Sequence, residues 1–344
     1  MSDKEFNEYI KAFASRPHLV ILGAGATMAT IPNGDKNGMK SSVMNNFIEE
    51  LGLSYILNNI KLETNSRNIE YIYSELFSKD EYKVERENLE QAIFQHFKLL
   101  ELPDSPTIYD LLIISLRKKD CIASFNWDNL LIQAYQRVRR ITKDLPNLLF
   151  LHGNVDAGYC SQCECHYGKL DHECPECREP FTQSPLLFPV KKKDYSSNPF
   201  IRIQWEQLRN KIENAGFLTI FGYSAPSTDF DAIRIMEEAF STESKFWHEI
   251  EVIDIGNKSE IEKNWAFFGE RTRWHFKVVN SFFDSILAEF PRRSIEGYYK
   301  RNLDPRGGWW GESQVRFTPA NYKNLKMIVK PLLDKENKRN FDIL

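Results

Sequence analysis

Short apolar runs closed by glycine, asparagine or aspartate recur along the chain, separated by stretches with helical spacing. The first, HLVILG from His18 to Gly23, runs into Gly-Ala-Gly and reads as a buried strand entering a tight turn. CIASFN (Cys121 to Asn126), LLFLHG (Leu148 to Gly153), FLTIFG (Phe217 to Gly222) and EIEVIDIG (Glu249 to Gly256) have the same character, and the last of these is the final clear strand. Ile69, Ile72, Leu76, Leu89, Ile93 and Phe97 recur at the spacing of a helix face within a helical stretch from about Val43 to Leu100. WDNLLIQAYQRV, Trp205 to Ala215 and Asp229 to Phe240 also read as helices, whereas Thr30 to Ser42 reads as a polar loop.

Strands alternating with helices predict an α/β fold, a Rossmann-like doubly wound parallel sheet with helices on both faces. The expected organisation is one domain over 1–290, with a helical insert over about 43–118 and a small metal-binding module over about 155–185. From about Pro291 the pattern loses a clean period, so 291–344 is expected to be an appended segment and a candidate interface. Ligands of such sheets bind beyond the carboxyl ends of the strands. Here those ends read GAGAT, FNWD, HGN, GYSAPSTD and DIGN, and each is chemically distinctive.

Composition changes this picture only slightly. With 344 residues, 42% of them hydrophobic and 27% charged, the chain has ample material for a core. A net charge of -3 gives it no general attraction to nucleic acid or anionic membranes, and Lys191-Lys192-Lys193 reads as a solvated loop. No apolar run approaches a membrane span, and MSDKEFNEYIKAF is not a signal peptide, so a cytoplasmic address is the expectation.

The chemistry concentrates in a few places. Gly23, Ala24, Gly25 and Thr27 follow a strand, the context in which backbone N–H groups approach a pyrophosphate. The dehydrogenase fingerprint is absent, since Met28 stands where its third glycine would be needed and no acidic residue closes a second strand. No GxSxG nucleophile elbow and no Walker lysine motif is present either. Cys160-x2-Cys163 and Cys174-x2-Cys177 suit a closed tetrahedral site for structural Zn2+, with Cys165, His166 and His172 as possible substitutes between them. Asn126 and Asp128 leave one strand end and His152 another, so an amide, a carboxylate and an imidazole are placed to converge on one ligand.

In this order, GAGAT, SFNWD, LHG, the paired CxxC motifs, GYSAPSTD and VIDIGN resemble the sirtuin family over roughly residues 18 to 256. The resemblance implies that NAD+ is bound by Gly23, Ala24 and Gly25 and by the terminal strand, that Asn126 and Asp128 meet the nicotinamide ribose, and that His152 is the base. It also implies that the paired cysteines hold structural zinc. Thr27, Gly222 and Ser224 join the expected cofactor site, with Asp254 or Asn257 on the adenosine ribose; Ser227 serves equally well as a helix cap. Phe125 stands where protein-deacylating sirtuins have Gln, PLLFPVKKKDY replaces their Phe-Gly-Glu, and the arginine-bearing Asp-Phe-Arg segment is missing.

LLFPVKKK followed by GYSAPSTD looks like the bacterial sirtuin-like proteins of antiphage defence, which destroy NAD+. The implied function is therefore NAD+ glycohydrolysis by Asn126 and His152, in a homo-oligomer or a complex with a sensor or activator protein. The alternatives are an NAD-dependent protein deacylase and a non-catalytic sensor of NAD+ or ADP-ribose.

Overall fold

The strands of the chain are β1 (His18–Leu22), β2 (Cys121–Ser124), β3 (Asn147–Phe150), β4 (Ala157–Tyr159), β5 (Tyr167–Lys169), β6 (Thr182–Gln183), β7 (Phe217–Phe221), β8 (Glu249–Ile253) and β9 (Phe276–Val279). They come from a computed structural model that describes residues 8, 12–190, 193–226, 229–240, 249–266, 276–302 and 315–337. Six of them form one sheet in the order β3-β2-β1-β7-β8-β9, and every pairing is parallel. All residues of β1 and β7 are buried, so both faces of the sheet are covered, which is why these strands read as continuous apolar runs. The two polar residues among them, His18 and Thr219, satisfy each other: Nε2 lies 2.8 Å from the threonine hydroxyl, and Nδ1 is 2.8 Å from that of Ser294. The expected doubly wound parallel sheet is the observed architecture.

The helices that matter below are α1 (Ala24–Thr30), α2 (Ile69–Ser78), α3 (Lys83–Leu99), α4 (Ile108–Ile114), α5 (Leu130–Val138), α6 (Pro199–Asn214), α7 (Phe230–Phe240), α8 (Lys258–Asn264), α9 (Ser294–Asn302) and α10 (Leu325–Asn337). The expected helical stretch from Val43 to Leu100 is broken. A single turn at Phe47–Glu50 and a 3-10 turn at Ser54–Leu57 precede α2, which the Asn68 side chain caps by accepting from the Glu70 N–H. The helix expected from Trp205 starts earlier, at Pro199, because Asn198 caps it through the N–H groups of Phe200 and Ile201. β9, which the sequence reading lacks, is a four-residue, partly exposed edge strand with no distinctive motif at its end.

The strand ends are level. Leu22 pairs with Ser124 and with Phe221, Ser124 with Phe150, Phe221 with Ile253, and Ile253 with Val279. The strand order reverses between β1 and β7, the topological switch point. The metal-module region forms a separate antiparallel sheet, β5-β4-β6, whose own apolar cluster is only Cys160, Cys174 and Phe181.

Residues on both sides of Pro291 join the main core: Arg292 is buried and donates to the carbonyls of Ile114 and Leu116, and Glu336 of α10 holds it at 2.8 Å. Phe317 and Val329 belong to the same cluster. Arg306, Trp309 and Trp310 lie outside the described residues. Among the described residues no helix is long and apolar enough to cross a membrane.

Candidate functional site

At the switch point two backbones meet without intervening side chains. The Gly25 N–H donates to the Gly222 carbonyl at 2.9 Å, and the Gly23 N–H donates to the Phe221 carbonyl at 3.0 Å. A Cβ on Gly23 would sit 2.5 Å from the Gly222 oxygen, and one on Gly222, whose φ is +62°, would sit 2.3 Å from the Ala26 nitrogen. The glycines thus have a packing reason of their own, and the Gly25 N–H is already taken up by the protein.

Asn126, two residues past β2, is anchored to this turn. Its Nδ2 lies 2.8 Å from the Gly23 carbonyl, 3.0 Å from Thr27 Oγ1 and 3.1 Å from the Tyr109 hydroxyl. A carbonyl only accepts, so the amide nitrogen must face Gly23, and its second hydrogen is shared between the two hydroxyls. Thr27 donates its one hydroxyl hydrogen to Asp128 Oδ2 at 2.7 Å and sits 2.8 Å from the Tyr109 hydroxyl, which donates to it in turn. The direction of the whole chain is fixed by the carboxylate at its end. With Nδ2 fully engaged, Asn126 Oδ1 is left without a hydrogen bond among the described residues, on a half-buried side chain.

Tyr109, which the sequence reading missed, is supplied by α4. A capping box starts that helix: Asp110 accepts from the Thr107 N–H at 2.7 Å and from its hydroxyl at 2.8 Å. Asp128 does not reach open space. It is buried, its Oδ1 accepts from the Leu130 N–H at 3.1 Å, and burial raises its pKa. Its position supports Asn126 through Thr27 and starts α5; direct ribose contact is not what the geometry offers.

His152, two residues past β3, sits in an aromatic enclosure. Phe125 meets its ring edge-on at 4.8 Å, Tyr195 stacks nearly parallel to it at 5.9 Å, and the Tyr195 hydroxyl is 3.3 Å from Nε2. Phe125 in turn stacks on Tyr223 at 4.1 Å, and Tyr195 packs on Trp205 at 4.5 Å. Gly153 lets the neighbouring segment close in, because a Cβ there would meet the Pro185 carbonyl at 1.7 Å. Burial lowers the His152 pKa to about 4, Asp229 opposing and Lys193 assisting, so the ring is neutral at pH 7.

Behind this enclosure lies a buried ion pair. Lys193 Nζ is 2.5 Å from Asp229 Oδ1, and the Tyr223 hydroxyl donates to Asp229 Oδ2 at 2.8 Å. Burial alone would raise the Asp229 pKa, but the His152 ring and the Lys193 ammonium outweigh it and hold the carboxyl below its usual range. Lys193 is therefore not the solvated loop residue expected from its lysine run; it is 8% exposed. Lys191, Lys192 and Ser227 lie outside the described residues.

The remaining expected residues stand further along the same edge. Asp254 follows β8 and accepts from the Gly256 N–H at 2.8 Å, while Asn257 caps α8 through Ser259 and Glu260. Ser224 is exposed, and its carbonyl accepts from Asn264 at 3.0 Å. At about 4.8 Å per strand, the step from β2 to β8 covers roughly 15 Å, so these groups do not touch Asn126 or His152. They share an edge with them.

The paired cysteines do converge. The sulfurs of Cys160 and Cys177 are 3.4 Å apart, those of Cys163 and Cys174 are 3.9 Å apart, and all four lie within 4.8 Å of one another. Ligands about 2.3 Å from a tetrahedral zinc lie about 3.8 Å apart, so the donor set and its spacing fit structural Zn2+. The Cys163 N–H also donates to Cys160 Sγ at 3.2 Å and helps hold that thiol down at about 7.

No family model and no curated protein matches the chain. Among solved structures it is similar to a Sir2 homolog–NAD complex, at 12% identity over 86% of this chain and 94% of that one, with a TM-score of 0.40. It is also similar to a Sir2–p53 peptide–NAD+ complex, at 15% identity, 79% and 100% coverage and a TM-score of 0.36. Sir2 bound to acetylated peptide gives 15% identity, 79% and 99% coverage and a TM-score of 0.37.

Proposed function

We propose that the chain is an NAD+ glycohydrolase. One observation carries this reading: an amide oxygen with no hydrogen-bond partner among the described residues, on Asn126, and a neutral buried imidazole, on His152, stand two residues beyond adjacent parallel strands. Breaking the nicotinamide–ribose bond sends its electron pair to the ring nitrogen, so nicotinamide leaves neutral and needs no acid. What the reaction needs is a site that tolerates an oxocarbenium-like centre, orients water and takes its proton.

Asn126 Oδ1 accepts from the attacking water or from a ribose hydroxyl. His152 accepts the proton released as water bonds to the anomeric carbon, giving ADP-ribose. Phe125, Tyr195 and Tyr223 limit competing solvent. Asp254 and Asn257, across roughly 15 Å of strand ends, suit the far ribose of a dinucleotide better than any part of a small sugar. The aromatic Phe125 beside His152 is consistent with hydrolysis without an acyl-lysine partner.

In this reading the enzyme depletes NAD+ as a defence effector, works as a homo-oligomer or with an activating protein, and uses Zn2+ only structurally. Residues 291–344 are the proposed contact region. The test is NAD+ consumption by the full chain, alone and with an acetylated peptide. Loss of NAD+ without peptide, reduced at least about 100-fold by Asn126→Ala and by His152→Ala, is expected. NAD+ consumption that requires the peptide would make the protein a deacylase. ADP-ribose binding without turnover, in every condition, would make it a sensor.

A further inference from the structure

Cys165 and His166 were open as substitutes for a paired cysteine, and the four-thiolate cluster uses neither. Instead they meet Glu176. His166 Nε2 is 3.1 Å from Glu176 Oε2, Cys165 Sγ is 3.9 Å from the same oxygen, and the three ligand atoms all lie within 4.8 Å of one another. Two local features produce this. Glu164, in the left-handed region at φ 52°, turns the chain just after the first CxxC pair, and Glu176 stands inside the second pair.

We propose that Cys165, His166 and Glu176 form a second metal site, distinct from the four-thiolate one, for a borderline divalent ion of the Zn2+ or Co2+ class. A thiolate, an imidazole and a carboxylate together select against Mg2+ and Ca2+, which prefer oxygen ligands alone. Metal–ligand bonds of about 2.0–2.3 Å place tetrahedral ligands roughly 3.3–3.8 Å apart, and the observed 3.1 and 3.9 Å bracket that range. The metal-free alternative is an exposed His166–Glu176 pair, which contributes little to stability and leaves the position of Cys165 unexplained.

Three protein ligands leave a fourth position for water, the arrangement of an open site rather than a closed structural one. The His166 and Glu176 side chains are 34% and 66% exposed, so an ion here is open to exchange with solution. It ties the loop behind the first knuckle to the tip of the second.

The experiment is a Co2+ titration of the full chain loaded with one equivalent of zinc, which fills the tighter four-thiolate site and leaves the second site free. Cobalt binds such ligands more weakly than zinc and does not displace it, so new absorption reports the second site alone. One further equivalent of Co2+ with a thiolate charge-transfer band is expected. Cys165→Ser should abolish the band, and His166→Ala and Glu176→Gln should each raise the cobalt Kd at least about tenfold. Zinc should stay at one per chain in all three variants. Failure of the zinc-loaded protein to bind cobalt, a band that survives Cys165→Ser, or loss of the tight zinc in the variants would each overturn the proposal.

Discussion

The two halves of the candidate site are built by different means. Asn126 is held by neutral hydrogen bonds to Gly23, Thr27 and Tyr109, whose direction one buried carboxylate sets. His152 is held by ring packing against Phe125 and Tyr195, with a buried ion pair behind it. The first arrangement fixes the orientation of a group that never changes charge. The second leaves a titratable group in a weakly polar setting, where burial tunes its proton affinity. Under the proposed reaction, which calls for a fixed acceptor beside a proton acceptor, this division is an advantage.

The contrast can be broken most directly at the ion pair. Asp229→Ala strands the Lys193 ammonium at a site where it is 8% exposed, and should cost about 3–5 kcal/mol in denaturant unfolding. Thr27→Val removes the hub of the neutral network and leaves Asp128 and Tyr109 short of partners; about 2–3 kcal/mol is expected. If Thr27→Val costs as much as Asp229→Ala, the two halves do not differ in the way described.

A pH series sharpens the comparison. His152 has a folded pKa of about 4 against 6.5 when unfolded. The unfolded chain therefore binds the extra proton within that window, and the neutral ring contributes stability that is lost as pH falls from about 6.5 towards 4. The stability of His152→Phe should accordingly depend on pH less steeply in that direction than wild type, by about 1.4 kcal/mol per unit. His18 and Glu251 also titrate abnormally, so the difference between the two proteins is the quantity to read. An unchanged slope would mean that His152 is not buried in its neutral form. The smallest effect belongs to neither half: Asn257→Ala removes only the cap of α8 and should cost about 1 kcal/mol.

The same division decides what the sequence made legible. The buried strands announced themselves as apolar runs, and Asn126 and His152 were found because each stands just past such a run. The cysteine pairs were found by spacing. What stayed hidden were partners brought in from a distance. Tyr109 reaches Thr27 across 82 positions, and only its Thr107-x2-Asp110 cap marks the helix that carries it. Lys193 looked solvated because its burial depends on an aspartate 36 positions away. β9 was missed because it is a four-residue edge strand whose apolar run is interrupted by Lys277.

The glycine contact at the switch point has a consequence for how this site can change over time. Asn126 takes its position from the Gly23 carbonyl, and Gly23 takes its own from Phe221, the last residue of β7. The seam itself is a backbone-to-backbone contact, so the acceptor's place is inherited from backbone geometry. Variation that retunes the chemistry has to enter from the aromatic side, at Phe125 and Tyr195. The seam acts as a fixed datum, and adaptation is confined to the wall facing it.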